Sequence, residues 1–207
     1  MQFNQQEAIM SSTPLAQAAF DQIFFDAHTN NAWQDKPVSD ELLHRLYETL
    51  RMAPTSMNCS PARIVFVKTK TAKEKLDTAL MEGNRAKTMA APVTAIIGYD
   101  TRFYENLPKL FPANLKGRDL FASDAALAGI TAFRNGTLQG AYLIIAARAL
   151  GLDCGPMSGF DNARVDELFF ADTSLKSNFL CNLGYGDPKG VYPRNPRLAF
   201  DEACRIA

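Results

Sequence analysis

The sequence lacks both an excess of one charge and a long apolar run. Its 22 Lys and Arg residues balance 22 Asp and Glu residues, so no basic surface is predicted to attract nucleic acid or anionic lipid. No apolar run approaches the roughly 20 residues that a transmembrane helix needs, and the first dozen residues lack the pattern of a signal peptide. We therefore expect a cytoplasmic protein with a small-molecule substrate and neither nucleic acid nor membrane as partner.

Cysteine and histidine are also scarce. The chain has four cysteines and two histidines, and no two cysteines have the C-x-x-C spacing of a zinc site. We therefore predict no metal centre. A cytoplasmic chain of this length needs no disulfide to fold, so the thiols are expected to be reduced and mostly buried.

Several catalytic motifs are missing as well. The strings G-x-G-x-x-G, G-x-x-x-x-G-K-[ST] and G-x-S-x-G do not occur, which argues against a dinucleotide fold, a P-loop and a nucleophile elbow. Only His28 and His44 could serve a Ser/His or Cys/His mechanism, and His44 falls on the polar face of a predicted helix. A chain without an evident nucleophile or acid/base pair can still catalyse a reaction if a bound cofactor carries the reactive atom.

The pattern that remains predicts a single domain over residues 1–207. Strands are predicted at residues 63–68, 93–99 and 178–183. Helices are predicted from the Ser39 cap to Pro54, at 71–80, 84–91 and 131–150, and from the Asp161 cap to Phe169. Because helices outnumber strands and the strands are separated, we expect an α+β fold with a small central sheet flanked by helices.

Two segments indicate contacts beyond a simple domain. Residues 131–150 are apolar nearly all round a helix, so this helix must be covered on several sides, either by the domain or by a second subunit. The tail from Asp187 holds three prolines and little periodicity. We predict that it is an arm lying over another surface.

Four segments together resemble the nitroreductase family. Residues 38–67 resemble a capped helix followed by A-P-[ST]-S-x-N-x-Q-P and the first strand, and residues 82–89 contain the N-x-x-K pair Asn84 and Lys87. Residues 154–161 (CGPMSGFD) resemble P-[MI]-x-G-F-D, and residues 191–203 resemble an arm with a phosphate-binding arginine. Each motif is weak alone, but their order and spacing are specific. The resemblance extends from about Phe24 to Ala203.

The resemblance implies that FMN is the cofactor and assigns its contacts. The implied contacts are Pro54, Thr55, Ser56, Asn58, Ser60, Asn84, Lys87, Pro156, Met157, Ser158, Gly159, Arg197 and, more weakly, Arg194. The chain departs from the family near its N-terminus, where most nitroreductases have a basic run R-x-S-x-[RK] that binds the FMN phosphate. Residues 27–31 read AHTNN, so both cations are gone. His28 is expected to replace one of them, while Thr29 retains the hydroxyl and Asn31 a donor. Phosphate binding is therefore expected to rest more on Lys87, Arg197 and His28.

The family resemblance also implies a fold and a reaction. The fold is a sandwich that forms an intertwined homodimer, with two FMN at the interface and the C-terminal arm packed on the partner. NAD(P)H passes a hydride to flavin N5, leaves, and is replaced by the acceptor, so no catalytic side chain is required. Lys87 and the backbone N–H groups near Ser158 and Gly159 are expected to stabilise the reduced flavin.

Four further strings concern the acceptor. The strings NAW, TSMNCSPARI, GPMSGFD and LKSN are similar to the malonic semialdehyde reductase branch, which forms 3-hydroxypropionate in pyrimidine degradation. Arg63 and Arg134 are candidates to bind the carboxylate of such a substrate. The alternatives are a general NAD(P)H nitro or quinone reductase, a flavin-binding carrier or sensor without turnover, and a colourless structural domain.

Overall fold

The computed structural model describes residues 13–207, so the first twelve residues of the predicted domain lie outside the described part. Its sheet contains β1 (Ala62–Val67), β2 (Val93–Asp100), β3 (Asp153–Met157) and β4 (Leu175–Gly184). The strands are antiparallel and follow the order β1-β2-β4-β3. This arrangement confirms the predicted small central sheet, and three of the four strands match predicted runs.

The helices lie on both sides of this sheet. They are α1 (Gln17–Phe20), α2 (Asp40–Leu50), α3 (Lys70–Asp77), α4 (Glu82–Ala90), α5 (Leu107–Leu110), α6 (Lys116–Ser123), α7 (Ala125–Ala149), α8 (Asn162–Phe169) and α9 (Phe200–Ala203), with a π-helical turn at Asp21–Phe25 and 3-10 turns at Ser56–Asn58, Phe103–Asn106 and Pro188–Gly190. The two predicted N-caps are confirmed. Leu42 N donates to Ser39 Oγ at 3.2 Å, and Arg164 N donates to Asp161 Oδ1 at 3.0 Å.

One strand was not predicted. Pro156 and Met157 belong to β3, where Pro156 pairs with Cys181 and Met157 with Leu180 of β4. A proline is tolerated there because β3 is an edge strand of the sheet. An N–H that points away from the neighbouring strand is not needed for the ladder. Only the residues after Met157, including Ser158 and Gly159, form the turn.

Alternating side chains of the strands pack against different helical layers. Ile97 of β2 lies in a buried cluster with Leu46 of α2 and Leu143 of α7. The preceding residue, Ile96, lies in a second buried cluster with Leu76 of α3. Because successive strand side chains point to opposite faces, the sheet has a core on each side. Burying a leucine or isoleucine fully stabilises the fold by about 1.5–3 kcal/mol.

The long helix α7 is only partly covered by its own chain. It begins six residues before the predicted start, where Leu127 N donates to Asp124 Oδ1 at 2.9 Å. One face contributes Leu143 to the core, but Ile130, Phe133 and Leu138 remain 53%, 50% and 41% exposed. Residues 13–207 therefore leave this second face of α7 largely uncovered. The tail after Gly190 is exposed throughout.

Candidate functional site

The loop from Pro54 to Ser60 has an unusual backbone. Met57, Asn58 and Ser60 have φ values of 52°, 51° and 39°, a region that non-glycine residues enter only when surrounding contacts hold them there. Ser60 N donates to Thr55 Oγ1 at 3.1 Å, and Asn58 Nδ2 donates to a carbonyl of α5 at 2.8 Å. The loop is thus held in one shape with Pro54, Ser56 and Asn58 exposed.

Two buried amides on α7 hold this loop and the start of β1. Asn135 Oδ1 accepts from Ser56 N, and Gln139 Oε1 accepts from Ala62 N, each at 2.9 Å. Both side chains are less than a tenth exposed. Sequence reasoning missed these residues, although two amides spaced i, i+4 on an otherwise apolar helix are a signal of buried hydrogen bonding.

The two arginines proposed for a substrate carboxylate differ in their surroundings. Arg63 Nη2 lies 3.1 Å from Asp100 Oδ2, and its Nη1 donates to Ser60 O at 3.1 Å. The Arg63 charge is therefore already paired, and its contacts brace the loop. Arg134 is exposed and has no ion pair or hydrogen-bonding partner among the described residues.

The loop also contains a cysteine that could be considered as a nucleophile. Cys59 is 1% exposed, and burial raises the pKa of its thiol to about 11. A thiol that stays protonated at neutral pH is a poor nucleophile. Three of the four thiols are buried, as expected, whereas Cys204 is exposed.

Helix α4 contacts the turn that follows β3. Asn84 Nδ2 donates to Gly159 O at 2.8 Å, and Met81 N donates to the same carbonyl at 3.1 Å. A Cβ atom on Gly159 would lie 2.4 Å from Asn84 Nδ2, so only glycine permits this close approach. The structure thus brings two of the predicted contact segments together.

Lys87 joins α4 to the segment at residues 28–31. Its Nζ donates to Asn31 Oδ1 at 3.3 Å, and its carbonyl accepts from Trp33 Nε1 at 3.1 Å and from Asn182 Nδ2 at 3.4 Å. Residue 29 pairs in turn with β3 through a bridge to Cys154. Trp33 and Asn182 were not predicted as site residues, since nothing in their local sequence indicates these distant partners.

A buried lysine closes the C-terminal end of α4. Lys73 of α3 is 4% exposed, and its Nζ donates to Thr88 O and Ala91 O at 2.6 Å each and to Thr94 Oγ1 at 3.1 Å. The Thr88 carbonyl has no helical donor four residues later because Pro92 lacks an N–H. Burial lowers the pKa of Lys73 to about 8.

The remaining predicted contacts surround a cavity of about 420 Å³. It is lined by His28, Thr29, Asn31, Arg148, Arg194 and Arg197, together with apolar and aromatic residues. No carboxylate is among the described residues that line it. Cations and neutral donors without a counter-charge suit an anion such as a phosphate. Arg148 was not predicted from the sequence.

These contacts do not form one pocket within a single chain. The 54–60 loop leads into the start of β1, which pairs with the end of β2 at Ala62 and Tyr99. Helix α4 and residues 28–31 lie at the other end, where β2 begins. Within residues 13–207, no hydrogen bond connects the loop with the other predicted contact segments.

A larger cavity of about 820 Å³ lies elsewhere. It runs between α2 and the free edge of β1, and its lining includes Leu43, Tyr47 and Phe66. None of the predicted flavin contacts lines it. We assign no cofactor role to this groove because its size alone carries no chemistry.

Comparison with known proteins gives consistent matches. The sequence model of the "Nitroreductase family" matches residues 28–185. A "Putative NADH dehydrogenase/NAD(P)H nitroreductase" from Burkholderia lata is 62% identical over 194 residues, covering 94% of this chain and 99% of the relative. A solved structure of "putative nitroreductase ydfN" from Bacillus subtilis superposes with a TM-score of 0.80 at 20% identity, covering 93% of this chain and 100% of that chain. A "putative nitroreductase in complex with FMN" from Exiguobacterium sibiricum superposes with a TM-score of 0.79 at 19% identity, covering 95% and 100%.

Proposed function

Because this chain belongs to the nitroreductase family, we propose that it is an FMN-dependent oxidoreductase that takes a hydride from NAD(P)H and delivers it to a small acceptor. The observation that carries the proposal is the convergence of four predicted contact segments. Residues 28–31, 84–87, 156–159 and 194–197 are neighbours, and cations line the cavity between the first and the last. A cytoplasmic location is part of the proposal, since NAD(P)H is supplied there.

The residues present fit the two ends of FMN. The cavity around His28 and Arg197 offers donors to a dianionic phosphate. Gly159 has no side chain, and the Asn84 amide packs directly against it, so the turn and α4 present backbone and amide groups toward the ring end. When bound, the flavin ring relays the hydride between NAD(P)H and the acceptor. Lys87 supplies a positive charge that favours the reduced, anionic ring.

We further propose that a second copy of the chain completes the site. The 54–60 loop lies at the opposite end of the sheet from the other contact segments, so it reaches a shared cofactor only if a partner contributes it. The half-exposed Ile130, Phe133 and Leu138 on α7 offer an apolar face for that partner. The exposed C-terminal tail is the expected arm that packs on the partner.

Mixing two defective proteins tests this division of the site. Asn58→Pro distorts the loop, since proline cannot adopt the observed φ of 51°, and Gly159→Val disrupts the opposite half. Each variant alone is expected to bind FMN poorly. Co-refolded in equal amounts, they should form mixed dimers with one intact site, which restores about a quarter of the binding sites. Mixtures that bind no more FMN than the single variants would exclude a shared site.

Two classes of acceptor are candidates for the reaction. The Burkholderia lata relative is named an NAD(P)H nitroreductase, which favours a general nitro or quinone reductase. The ion pair between Arg63 and Asp100 also removes one of the two candidate partners of a substrate carboxylate. Malonic semialdehyde is the second candidate, favoured by the sequence motifs and by the unpaired Arg134. The ratio of kcat/KM for malonic semialdehyde to that for a nitroaromatic decides between them. Arg134→Met should lower only the first value if Arg134 binds the substrate carboxylate.

A visible spectrum tests the proposed cofactor and turnover together. Purified protein should be yellow, release FMN identifiable by mass, and bleach anaerobically when NADH or NADPH is added. A yellow protein that does not bleach would indicate a flavin carrier or sensor without turnover. A colourless protein that does not take up added FMN would overturn the proposal.

A further inference from the structure

The last turn of α7 directs an arginine into the cavity at residues 28–31. Arg148 is the basic residue of that turn, and it lines the cavity together with Arg194 and Arg197 of the C-terminal segment. It comes from a part of the chain that none of the predicted contact segments includes. The cavity therefore receives cations from two separate elements, the central helix and the tail.

Arg148 has donors that the chain does not satisfy. Its Nη1 donates to Ile23 O at 3.0 Å, which ties α7 to the π-helical turn. Its Nε is buried and has no hydrogen-bond acceptor among the described residues. A buried donor without an acceptor costs free energy, and an arginine presents its donors in a fork that matches phosphate oxygens. Because Nε is closed off from solvent, an anion in the cavity would pair with Nη2, which donates to no acceptor among the described residues.

None of the other cations near the cavity has a buried nitrogen without an acceptor among the described residues. Arg194 Nη2 donates to Phe25 O at 2.6 Å and to Ala27 O at 2.9 Å. Arg197 Nη1 donates to carbonyls within its own tail, and Lys87 Nζ donates to Asn31. Arg148 stands apart because one of its nitrogens is both buried and unpaired.

We propose that Arg148 binds the phosphate of FMN and replaces the cations missing from residues 27–31. The inference rests on the proposed FMN function and adds a residue to it. The chain has AHTNN at residues 27–31, with neutral donors and one histidine. Arg148 reaches the same cavity from α7, so the fold restores a permanent positive charge at the phosphate end of the site.

Comparing FMN with riboflavin isolates the phosphate contact. The two flavins share the ring and the ribityl chain, but only FMN has the phosphate. Apoprotein is titrated with each flavin, and binding is followed by quenching of flavin fluorescence. Arg148→Met is expected to weaken FMN binding about 10- to 100-fold, the effect of losing hydrogen bonds between charged groups. Riboflavin affinity should stay unchanged.

The control variant is Arg51→Met, which removes an exposed guanidinium paired with Glu48 on the surface. It changes the net charge equally and should leave the affinity for both flavins unaltered. If Arg148→Met does not fold, Arg148→Gln serves the same comparison, because its amide can still donate to the Ile23 carbonyl. It should lose the preference for FMN over riboflavin in the same way.

The outcomes distinguish the assignment of Arg148 from the FMN function on which it rests. An equal loss of affinity for both flavins would mean that Arg148 acts only by holding the π-helical turn, and unchanged FMN affinity would remove it from the site. Either result overturns the assignment while leaving the FMN function intact. Wild-type protein that binds neither flavin would overturn the FMN function, and the assignment with it.

Discussion

Lys73→Met separates two opposing effects of burying a lysine beneath α4. The hydrogen bonds from Lys73 to Thr88 and Ala91 stabilise the folded chain, whereas burial of its charge destabilises it. The folded pKa of about 8 lies below the ordinary value of 10.5. Between these two pH values the unfolded chain binds more protons, so the Lys73 contribution to the free energy of unfolding rises with pH. The burial penalty is complete below pH 8 and is relieved as pH approaches 10.5.

The two pKa values determine the size of the effect. Wild-type protein is expected to gain about 2 kcal/mol of unfolding free energy relative to Lys73→Met between about pH 7 and about pH 9.5. At the higher pH the variant should be clearly the less stable protein, because each of the two carbonyls left without a donor costs about 1–3 kcal/mol. At pH 7 the relief of charge burial offsets part of this loss, so the two proteins should be closer in stability.

Urea unfolding at several pH values measures this difference. The fluorescence of Trp33, the single tryptophan, reports on the same region because its Nε1 donates to the Lys87 carbonyl. Protein concentration is held constant, since association with a second copy would shift apparent stability. Lys70→Met removes an exposed lysine of the same helix and should follow the wild-type pH dependence. If Lys73→Met shows the same pH dependence of unfolding free energy as the wild type, the buried ammonium does not have the lowered pKa, and the prediction is refuted.

Two further substitutions test the contacts on each half of the site. Gly159→Ala should weaken FMN binding about 5- to 10-fold, since the new Cβ displaces Asn84 from the Gly159 carbonyl. The control is Gly83→Ala, because a Cβ at Gly83 would have no atom within 4 Å. It should not change the FMN titration. Asn135→Leu should lower the free energy of unfolding of the apoprotein in urea by about 1–3 kcal/mol, because Ser56 N loses its acceptor. Unchanged stability would show that the loop holds its own shape.

Local sequence patterns predicted the regular elements well. Leu43, Leu46 and Leu50 follow a helical period behind a Ser39 cap, and all three are buried on α2. The strand at residues 153–157 was missed because Gly155 and Pro156 are typical of turns. Its strand conformation depends on pairing with β4, a long-range contact that local composition does not encode.

The sequence predicted site residues only within the motifs that resemble those of the nitroreductase family. The resemblance identified Asn84 and Gly159 as members of one site, and the structure brings them into contact. Lys73 and Arg148 lie in no such motif, because each contacts backbone groups far away in sequence. A buried lysine and an exposed one look alike in a helical segment, and only the packing of α3 against α4 distinguishes them.

The two halves of the proposed site are held by separate buried polar contacts. Asn135 and Gln139 fix the 54–60 loop at one end of the sheet, and Lys73 fixes the end of α4 at the other. Such contacts contribute little net stability, but they define a single geometry because a shifted backbone would leave buried groups unpaired. If two chains each contribute one half, neither half can be shaped by the other before association. Each half must therefore be preorganised within its own chain, and the buried amides and ammonium do this by pairing backbone groups that apolar side chains would leave unpaired.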